Sequence, residues 1–277
     1  MSTSTTVTSI NVNGIRAAVK QRSEKNLGML PWLEQTGADV VALQETRAEL
    51  EQIVKALAPA LERGWYLTAA PSEVKGRNGV AILSRLEPDA VRVGFGSSEF
   101  DAAGRYLEAD FGRLTVASLY LPSGDVGTER QDEKDRFRKE FGGYLAKLGR
   151  KRRDVVVCGD WNIGHTELDI KNWKGNVKNS GFLPEERAWM SEHIGAGRAF
   201  KDVVRELHPE TAGPYSWWSW RGKAFDNDAG WRIDLQIANN ALAGHARAAR
   251  VERAAEYALR WSDHAPVTVE YSAASPR

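Results

Sequence analysis

Apolar residues recur along the chain in two patterns that predict β-strands. Residues 7–12 and 231–238 alternate polar with apolar side chains, which is typical of a strand with one buried face. Residues 39–43 and 155–158 are largely continuous apolar runs, which indicate strands buried on both faces. The same criteria predict further strands at residues 65–69, 80–83, 106–110, 114–121, 216–220 and 266–271.

Helical periodicity and helix-end residues predict four longer helices. Residues 29–35 carry a proline in the first turn and are followed by Gly37, which is a common helix stop. Residues 184–193 begin with Pro184 and have two acidic residues in the first turn. Residues 49–61 and 129–148 have amphipathic helical spacing, and the second of these precedes the basic run 150–153.

Strands and helices are mixed throughout, without a short-period repeat or a low-complexity linker. The order strand, helix, strand, helix, followed by two strands, occurs in both halves of the chain. This order predicts an α/β fold in which two similar halves pack through their sheets. One domain over residues 1–277 is favoured over two, and residues 1–6 are expected to form a flexible tail.

Composition narrows the cellular context more than the function. The 277 residues are 42% hydrophobic and 27% charged, with a net charge of +1, which neither requires nor excludes a nucleic-acid partner. Cys158 is the single cysteine, so no internal disulfide can form and a reducing, cytoplasmic setting is expected. Its place in an apolar run favours a buried small hydrophobe over a reactive thiol. No secretory signal or membrane-length apolar run is evident, so no membrane association is expected.

Polar side chains stand at the ends of the predicted strands. Any one of them has an ordinary structural explanation, such as an Asx turn, an acid at a helix start, a loop histidine or a core tyrosine. Their common position favours a site, because ligands collect outside the carboxyl ends of strands in α/β sheets. The residues concerned are Asn11, Glu45, Tyr120, Asp160 with Asn162, and Asp263 with His264, together with Asp234 inside an alternating strand.

This set offers oxygen ligands and one imidazole, which suits Mg²⁺ rather than zinc. An Asp–His pair would hold the imidazole of His264 in one tautomer for acid–base work or charge stabilisation. Spacing does not decide whether Asp234 or Asp263 is the partner. Asp234 is favoured, because neighbours in sequence often point apart.

Seven motifs in order make the chain resemble the exonuclease III-like apurinic/apyrimidinic endonucleases. They are SINVNGIRA at 9–17, LQET at 43–46, LYLPSG at 119–124, GDWNIGH at 159–165, GFLPEER at 181–187, GWRIDL at 230–235 and SDHAP at 262–266. The resemblance implies a four-layer α/β sandwich of the endonuclease/exonuclease/phosphatase type, with two facing mixed β-sheets flanked by helices. It also implies Mg²⁺-dependent cleavage of DNA 5′ to abasic sites that leaves a 3′-hydroxyl, with Mn²⁺ as a substitute for Mg²⁺. Bacterial members often add 3′→5′ exonuclease and 3′-phosphatase activity.

The resemblance also assigns roles residue by residue. Glu45 resembles the principal metal ligand, with Asn11 and Asp263 near the metal. Asp160 resembles the residue that orients or activates the attacking water, Asn162 one that holds the water or the phosphate, and Tyr120 a phosphate-side hydroxyl. His264 resembles the phosphate-contacting imidazole, oriented by Asp234. Whether Asp160 or His264 takes the proton of the water stays open.

The aromatic and basic residues gain expected roles in the same way. Trp217, Trp231 and Ile233 match the wall of a pocket for an extruded abasic sugar, although any single tryptophan could equally be core. Arg221 falls near a side chain that some relatives insert into the helix. Candidate DNA-binding residues are Arg77, Asn78, Lys171 and Arg221, each of which could also be an ordinary surface residue.

The expected partner is double-stranded DNA with abasic sites or blocked 3′ ends, acted on by a monomer. Asn13 and Ser123 depart from the residues of some relatives. The alternatives are a phosphatase for inositol phosphates or lipid head groups and a nucleic-acid-binding module without catalysis. The pocket motif at Gly230, Trp231 and Arg232 disfavours the first, and the intact acidic set disfavours the second.

Overall fold

The computed structural model describes residues 4–272. Twelve strands and eight α-helices follow one another along this part of the chain. They are β1 (Ser4–Asn11), α1 (Ile15–Ala18), α2 (Met29–Gln35), β2 (Val40–Gln44), α3 (Leu50–Glu62), β3 (Tyr66–Ala70), β4 (Val80–Ser84), β5 (Ala90–Val93), β6 (Tyr106–Phe111), β7 (Leu114–Tyr120), α4 (Glu129–Leu148), β8 (Asp154–Asp160), α5 (Trp173–Asn176), α6 (Pro184–His193), β9 (Phe200–Asp202), α7 (Val203–Leu207), β10 (Asp234–Asn239), α8 (Asn240–Ala243), β11 (Ala246–Val251) and β12 (Val267–Ser272).

The strands form two six-stranded mixed sheets. The first has the order β11-β12-β1-β2-β4-β3 and the second the order β5-β6-β7-β8-β10-β9. Each sheet contains one parallel pair, β1 with β2 and β7 with β8, and the remaining neighbours are antiparallel. The parallel pairs bring two strand ends to the same edge of each sheet.

Alternation along the strands creates the layers. In β8, Val156 and Cys158 face a core between the two sheets, while Val155 and Val157 face a second core with α4 and α6. In β2, Val40 and Ala42 face the inter-sheet core, and the alternate residues pack with helices α1 to α3. Apolar packing on both faces explains the continuous apolar runs in these strands. The predicted four-layer fold, with two sheets inside and helices outside, is therefore confirmed.

Two strand predictions near the site need correction, one for its existence and one for its start. The predicted strand at residues 216–220 is absent. Instead, Trp217 makes isolated bridges to Trp231 and to His264. The strand predicted to begin at Trp231 begins at Asp234, and Trp231 instead forms isolated bridges to Trp217 and Ile170. These segments cross the edge of the sheets as loops, which aromatic content alone does not reveal.

Other corrections concern edges and termini. The tail predicted for residues 1–6 was wrong for Ser4 to Thr6, which pair with β12 from Ser4 opposite Ser272; residues 1–3 lie outside the described part. The strands β5, β9 and β11 were not predicted from the sequence; β5 and β11 are edge strands, and none of their residues is fully buried. Among residues 4–272, no helix has the length and apolar character needed to cross a membrane.

Candidate active site

The predicted strand-end residues come together at one edge of the two sheets. Asn11 ends β1 and Glu45 follows β2, its parallel neighbour. In the other sheet Tyr120 and Asp160 are paired at the ends of β7 and β8, and Asp234 is opposite Asp160 at the start of β10. Strand pairing therefore fixes the relative positions of these side chains.

The partner of the imidazole is Asp234, as favoured from the sequence. His264 Nδ1 lies 2.8 Å from Asp234 Oδ2, which also accepts a 2.6 Å hydrogen bond from Ser216 Oγ. Burial opposes protonation of His264, but Asp234, and to a smaller extent Asp160 and Asp263, raise its pKa to about 10. His264 is therefore an imidazolium at neutral pH, with Nε2 3.9 Å from Asp160 Oδ2.

Asp263 has other partners. Its Oδ1 accepts a 2.7 Å hydrogen bond from Asn13 Nδ2, and its Oδ2 accepts a 3.1 Å hydrogen bond from Trp217 Nε1. Asp263 lines the same cavity as Glu45 and His264. These contacts link the predicted metal region to the aromatic wall, and a ligand role for Asp263 stays a prediction.

Asp160 is a buried carboxyl among like charges. Its Oδ1 accepts from the Asn162 backbone N at 2.9 Å, and its Oδ2 accepts from Asn11 Nδ2 at 2.9 Å. Burial raises the pKa of Asp160 to about 8, against the lowering by the positive charge of His264, and the nearby carboxylates of Asp234 and Glu45 raise it further. A cation beside Asp160 would relieve this repulsion and favour its ionised form.

The residues present fit a hard divalent cation. The carboxylates of Glu45 and Asp160 and the ring of His264 lie within 4.8 Å of one another, and because His264 is protonated, the two carboxylates are the groups that would bind the cation. The Asn11 amide donates to both carboxylates, at 2.8 Å to Glu45 Oε1 and 2.9 Å to Asp160 Oδ2, so it holds the two carboxylates together. Carboxylate oxygens with room for water are the ligands that Mg²⁺ prefers.

Tyr120 and Asn162 line the same cavity as these carboxylates. Burial raises the pKa of the Tyr120 phenol, and Glu45 and Asp160 add to this, so the hydroxyl keeps its proton. Asn162 has a left-handed backbone, with φ 49°, and its Nδ2 donates to the Leu121 carbonyl at 2.8 Å. Such a conformation in a non-glycine residue is typical of a site where geometry matters more than local stability.

Sequence reasoning missed Lys134, a fully buried lysine of α4. Its ammonium lies 2.8 Å from Glu186 and donates to the Asn162 carbonyl at 2.9 Å. Glu186 also accepts from the backbone N of Gly181 at 2.7 Å. The signal was available, since Lys134 shares a helical face with the buried Phe137 three residues later.

Arg47 was the second residue that the sequence reasoning missed. It forms an ion pair with Glu45, and its Nε donates to Glu45 Oε2 at 2.7 Å. The charge of Glu45 raises the pKa of Arg47 against the opposing effect of burial. Both residues have left-handed backbones, with φ 51° for Glu45 and 48° for Arg47, and the sequence does not show this local conformation.

The predicted aromatic wall lies in the same cavity as the acidic residues. Trp217, Trp231 and Ile233 line a space of about 370 Å³ together with Glu45 and His264. The two tryptophan rings meet edge to face, with centroids 6.0 Å apart and planes at 88°. Trp218, in contrast, packs into a separate buried cluster around Phe225.

The predicted DNA-binding residues are spread more widely. Arg77 and Asn78 line a second cavity that adjoins the first through Tyr120 and Glu45. Lys171 and Arg221 are exposed and line neither of these two cavities. The Lys171 backbone N donates to the Gly230 carbonyl at 3.1 Å, which places Lys171 beside the loop that carries Trp231.

Comparison with known proteins agrees with this geometry. The sequence profile of the Endonuclease/Exonuclease/phosphatase family matches residues 8–264. The chain belongs to this family. It is 34% identical over 257 residues to an exodeoxyribonuclease of Bacillus subtilis, and this match covers 93% of the chain and 95% of the relative.

Two solved structures of the family share the fold over nearly their whole length. An AP endonuclease from Archaeoglobus fulgidus has a TM-score of 0.83 and 26% identity, with coverage of 96% of this chain and 99% of the other. The 3′ phosphatase NExo from Neisseria, bound to product DNA hairpin, has a TM-score of 0.82 with the same identity and coverage. The resemblance to exonuclease III-like apurinic/apyrimidinic endonucleases is therefore confirmed.

Proposed function

We propose that this chain is a DNA-repair phosphodiesterase that hydrolyses DNA 5′ to abasic sites and leaves a 3′-hydroxyl. Action as a 3′→5′ exonuclease and as a 3′-phosphatase on double-stranded DNA is part of the proposal, supported by the exodeoxyribonuclease and 3′ phosphatase relatives. The observation that carries it is one cavity that joins the Glu45, Asp160 and His264 cluster to the apolar wall of Trp217, Trp231 and Ile233.

The cation proposed for this cluster is Mg²⁺, held by Glu45 with Asn11 and Asp263 close by, and Mn²⁺ is expected to substitute. When bound, it would neutralise charge that develops on the phosphoryl oxygens. The imidazolium of His264, fixed by Asp234, would contribute a second positive charge at the phosphate. The Tyr120 hydroxyl would donate a hydrogen bond to a phosphate oxygen.

Asp160 is the favoured acceptor for the proton of the attacking water. His264 Nδ1 faces Asp234, and with a pKa of about 10 the imidazolium has no free basic nitrogen at neutral pH. The carboxyl of Asp160 is oriented by Asn11 and by the Asn162 backbone. The Asn162 side chain lies beside it in the cavity and would hold the water or the phosphate.

The apolar wall would select an abasic nucleotide over a normal one. An abasic sugar is turned out of the helix at little cost, because it has no base to unstack. Trp217 and Trp231 leave a bounded space next to the acidic cluster, which a bare sugar can enter more easily than a full nucleotide. The rim residues Arg77, Asn78, Lys171 and Arg221 would contact the DNA backbone.

The remaining parts of the proposal concern the state of the protein. We propose a single domain over residues 1–277 that acts as a monomer on bacterial nucleoid DNA in the cytoplasm. The buried free thiol of Cys158 fits a reducing compartment.

The test is a gel assay with a duplex that contains one abasic analogue. The expected result is a single nick 5′ to the analogue in Mg²⁺ or Mn²⁺, and none in EDTA. Matched substrates are an intact duplex, a duplex with a 3′-phosphate and an inositol phosphate. Release of phosphate from the inositol phosphate without nicking of DNA would contradict the proposal and support a small-molecule phosphatase.

A further inference from the structure

A second cavity of about 340 Å³ adjoins the catalytic cavity. The two cavities share Glu45, Arg47, Tyr120, Ser123 and Arg130. The rest of the second lining is Gly76, Arg77, Asn78, Arg105 and Glu133, and none of the three apolar wall residues takes part. We call this space the arginine pocket.

The arginine pocket has more cations than the protein neutralises. Its lining holds four arginines and two carboxylates. Arg130 donates to the neutral Ser123 Oγ at 2.8 Å and has no carboxylate partner in the described range 4–272. The Arg77 side chain is exposed and has no hydrogen bond or ion pair within that same range. Two positive charges are therefore left for an anionic ligand.

The other two arginines, Arg47 and Arg105, are paired with carboxylates of the protein. Arg105 is buried, with Nη2 2.8 Å from Glu133 Oε1 and its guanidinium 5.3 Å from the centre of the Tyr120 ring. Arg105 Nε has no hydrogen-bond partner in the described structure. Arg47 is paired with Glu45. Two fixed cations and two free ones make a built site rather than a loose surface patch.

The loops around the arginine pocket are held in an unusual backbone conformation. Glu45, Arg47 and Asn78 all have positive φ, at 51°, 48° and 44°. Two backbone hydrogen bonds join the loops, from Arg47 N to Asn78 O at 2.8 Å and from Thr46 N to Gly79 O at 3.0 Å. Non-glycine residues rarely adopt this backbone region, and residues that do so cluster at ligand sites.

The position of the arginine pocket relative to the apolar wall indicates on which side of the cut phosphate it contacts the DNA. The apolar wall lies in the catalytic cavity, and the arginine pocket extends from the shared residues without any of that wall. In the proposed reaction the abasic sugar is 3′ to the phosphate that is cut. The strand on the other side of that phosphate is the 5′ part, which is retained after cleavage.

We propose that the arginine pocket binds the DNA phosphate one nucleotide 5′ to the scissile phosphate. Abasic-site incision, exonuclease action and 3′-phosphatase action all share this retained strand and differ in the group on the 3′ side. The arginine pocket therefore serves all three activities, whereas the apolar wall serves abasic-site recognition. This inference rests on the proposed function.

The test uses R77A/R130A, which removes two exposed side chains, and substrates with one neutral methylphosphonate. The control R150A removes one positive charge just beyond the C-terminal end of α4. Arg150 lies about 30 Å from Arg130, because the helix has 20 residues and rises 1.5 Å per residue. With a methylphosphonate at the 5′ position, the wild type should lose roughly tenfold in kcat/KM, as should R77A/R130A on normal DNA. The two changes together should lose little more than either alone.

R77A/R130A should lose a similar factor of kcat/KM in all three activities. The slope of log DNA affinity against log salt concentration, measured in EDTA, should become shallower by an amount that corresponds to about one to two phosphate contacts. Full additivity of the variant and the methylphosphonate, or no effect of the methylphosphonate on wild type, would overturn the arginine pocket proposal alone. Failure of the wild type to cut any DNA substrate would instead overturn the proposed function. A methylphosphonate two nucleotides 3′ to the cut should act equally on wild type and R77A/R130A.

Discussion

Asp234 and His264 are joined by a 2.8 Å hydrogen bond that links the two sheets at the edge that carries the candidate active site. Asp234 begins β10 of one sheet, and His264 lies three residues before β12 of the other. The protonation of His264 therefore depends on how the sheets pack. This relationship leads to the first prediction.

Asp234→Asn should lower the pKa of His264 strongly. In the native protein that pKa is raised from 6.5 to about 10, so the ionic contribution to stability is present below pH 6.5 and is lost as pH rises through about 10. Without the Asp234 carboxylate, burial favours the neutral ring at pH 8. An NMR titration of His264 in metal-free protein measures this. A pKa that stays near 10 in the variant, with Asp263→Asn as the comparison, would contradict the pairing.

Glu45→Gln and Asp160→Asn should each reduce kcat on an abasic duplex by roughly 10²–10⁴-fold. Neither change should unfold the protein, because each amide has nearly the size of the carboxyl that it replaces, and burial already raises the pKa of Asp160 to about 8. Gel kinetics and thermal melts test the two parts, with the exposed Asp132→Asn as the control. Full turnover in purified Asp160→Asn would show that Asp160 does not act on the water.

Trp231→Ala should separate the activities. Loss of the ring opens the apolar wall next to Trp217, so kcat/KM on abasic DNA should fall by more than tenfold while 3′-phosphatase activity changes little. The exposed Trp220, which lines neither the catalytic cavity nor the arginine pocket, gives the control Trp220→Ala. An equal loss of both activities would argue for a general folding role of Trp231.

Asp169→Asn should destabilise the loop that carries the wall. Asp169 Oδ1 accepts from Arg232 Nε at 2.7 Å and from Arg205 Nη2 at 2.6 Å, and Arg232 also pairs with Asp202. Loss of this buried charge should lower the free energy of unfolding by about 3–5 kcal/mol at pH 7. Urea unfolding measures it, with the exposed Asp226→Asn as the control.

The same carboxylate predicts an acid dependence. Burial would raise the pKa of Asp169, but Arg232 and Arg205 outweigh burial and hold it at about 2, below the ordinary 3.8. Its contribution is therefore present above pH 3.8 and is lost as pH falls towards 2. Between pH 5 and pH 2, the free energy of unfolding should fall more steeply with decreasing pH in wild type than in Asp169→Asn. Equal slopes would contradict the ionised state of Asp169.

Lys134→Met should lower both stability and turnover, because it leaves the buried Glu186 without its cation and releases the Asn162 carbonyl. The expected loss of unfolding free energy is about 3–5 kcal/mol. Adding Glu186→Gln should recover part of the stability but not the turnover, and the exposed Lys139→Ala is the control. Recovery of full turnover in the double variant would show that Lys134 does not position Asn162.

Sequence periodicity determined the interior elements closely. The helices α4 and α6 have the predicted bounds, and β8 contains the predicted buried run, because these segments bury regular apolar faces. The edge strands β5 and β11 were not predicted, since none of their residues is fully buried and their apolar positions do not alternate regularly. The loop around Trp217 was misread because aromatic residues favour strands locally but here pack across the sheet edge.

The residues of the candidate site also divide into those that the sequence identified and those whose contacts only the tertiary structure revealed. The sequence by itself placed Glu45, Asp160 and His264 next to strand ends, because the apolar runs of the strands stop beside these polar residues. Tertiary structure decided that Asp234 rather than Asp263 binds His264, that Lys134 supports Asn162, and that the arginines gather beside Tyr120. These contacts join segments that are distant along the chain or lie in different sheets, and their distances are set by packing, which local sequence spacing does not encode.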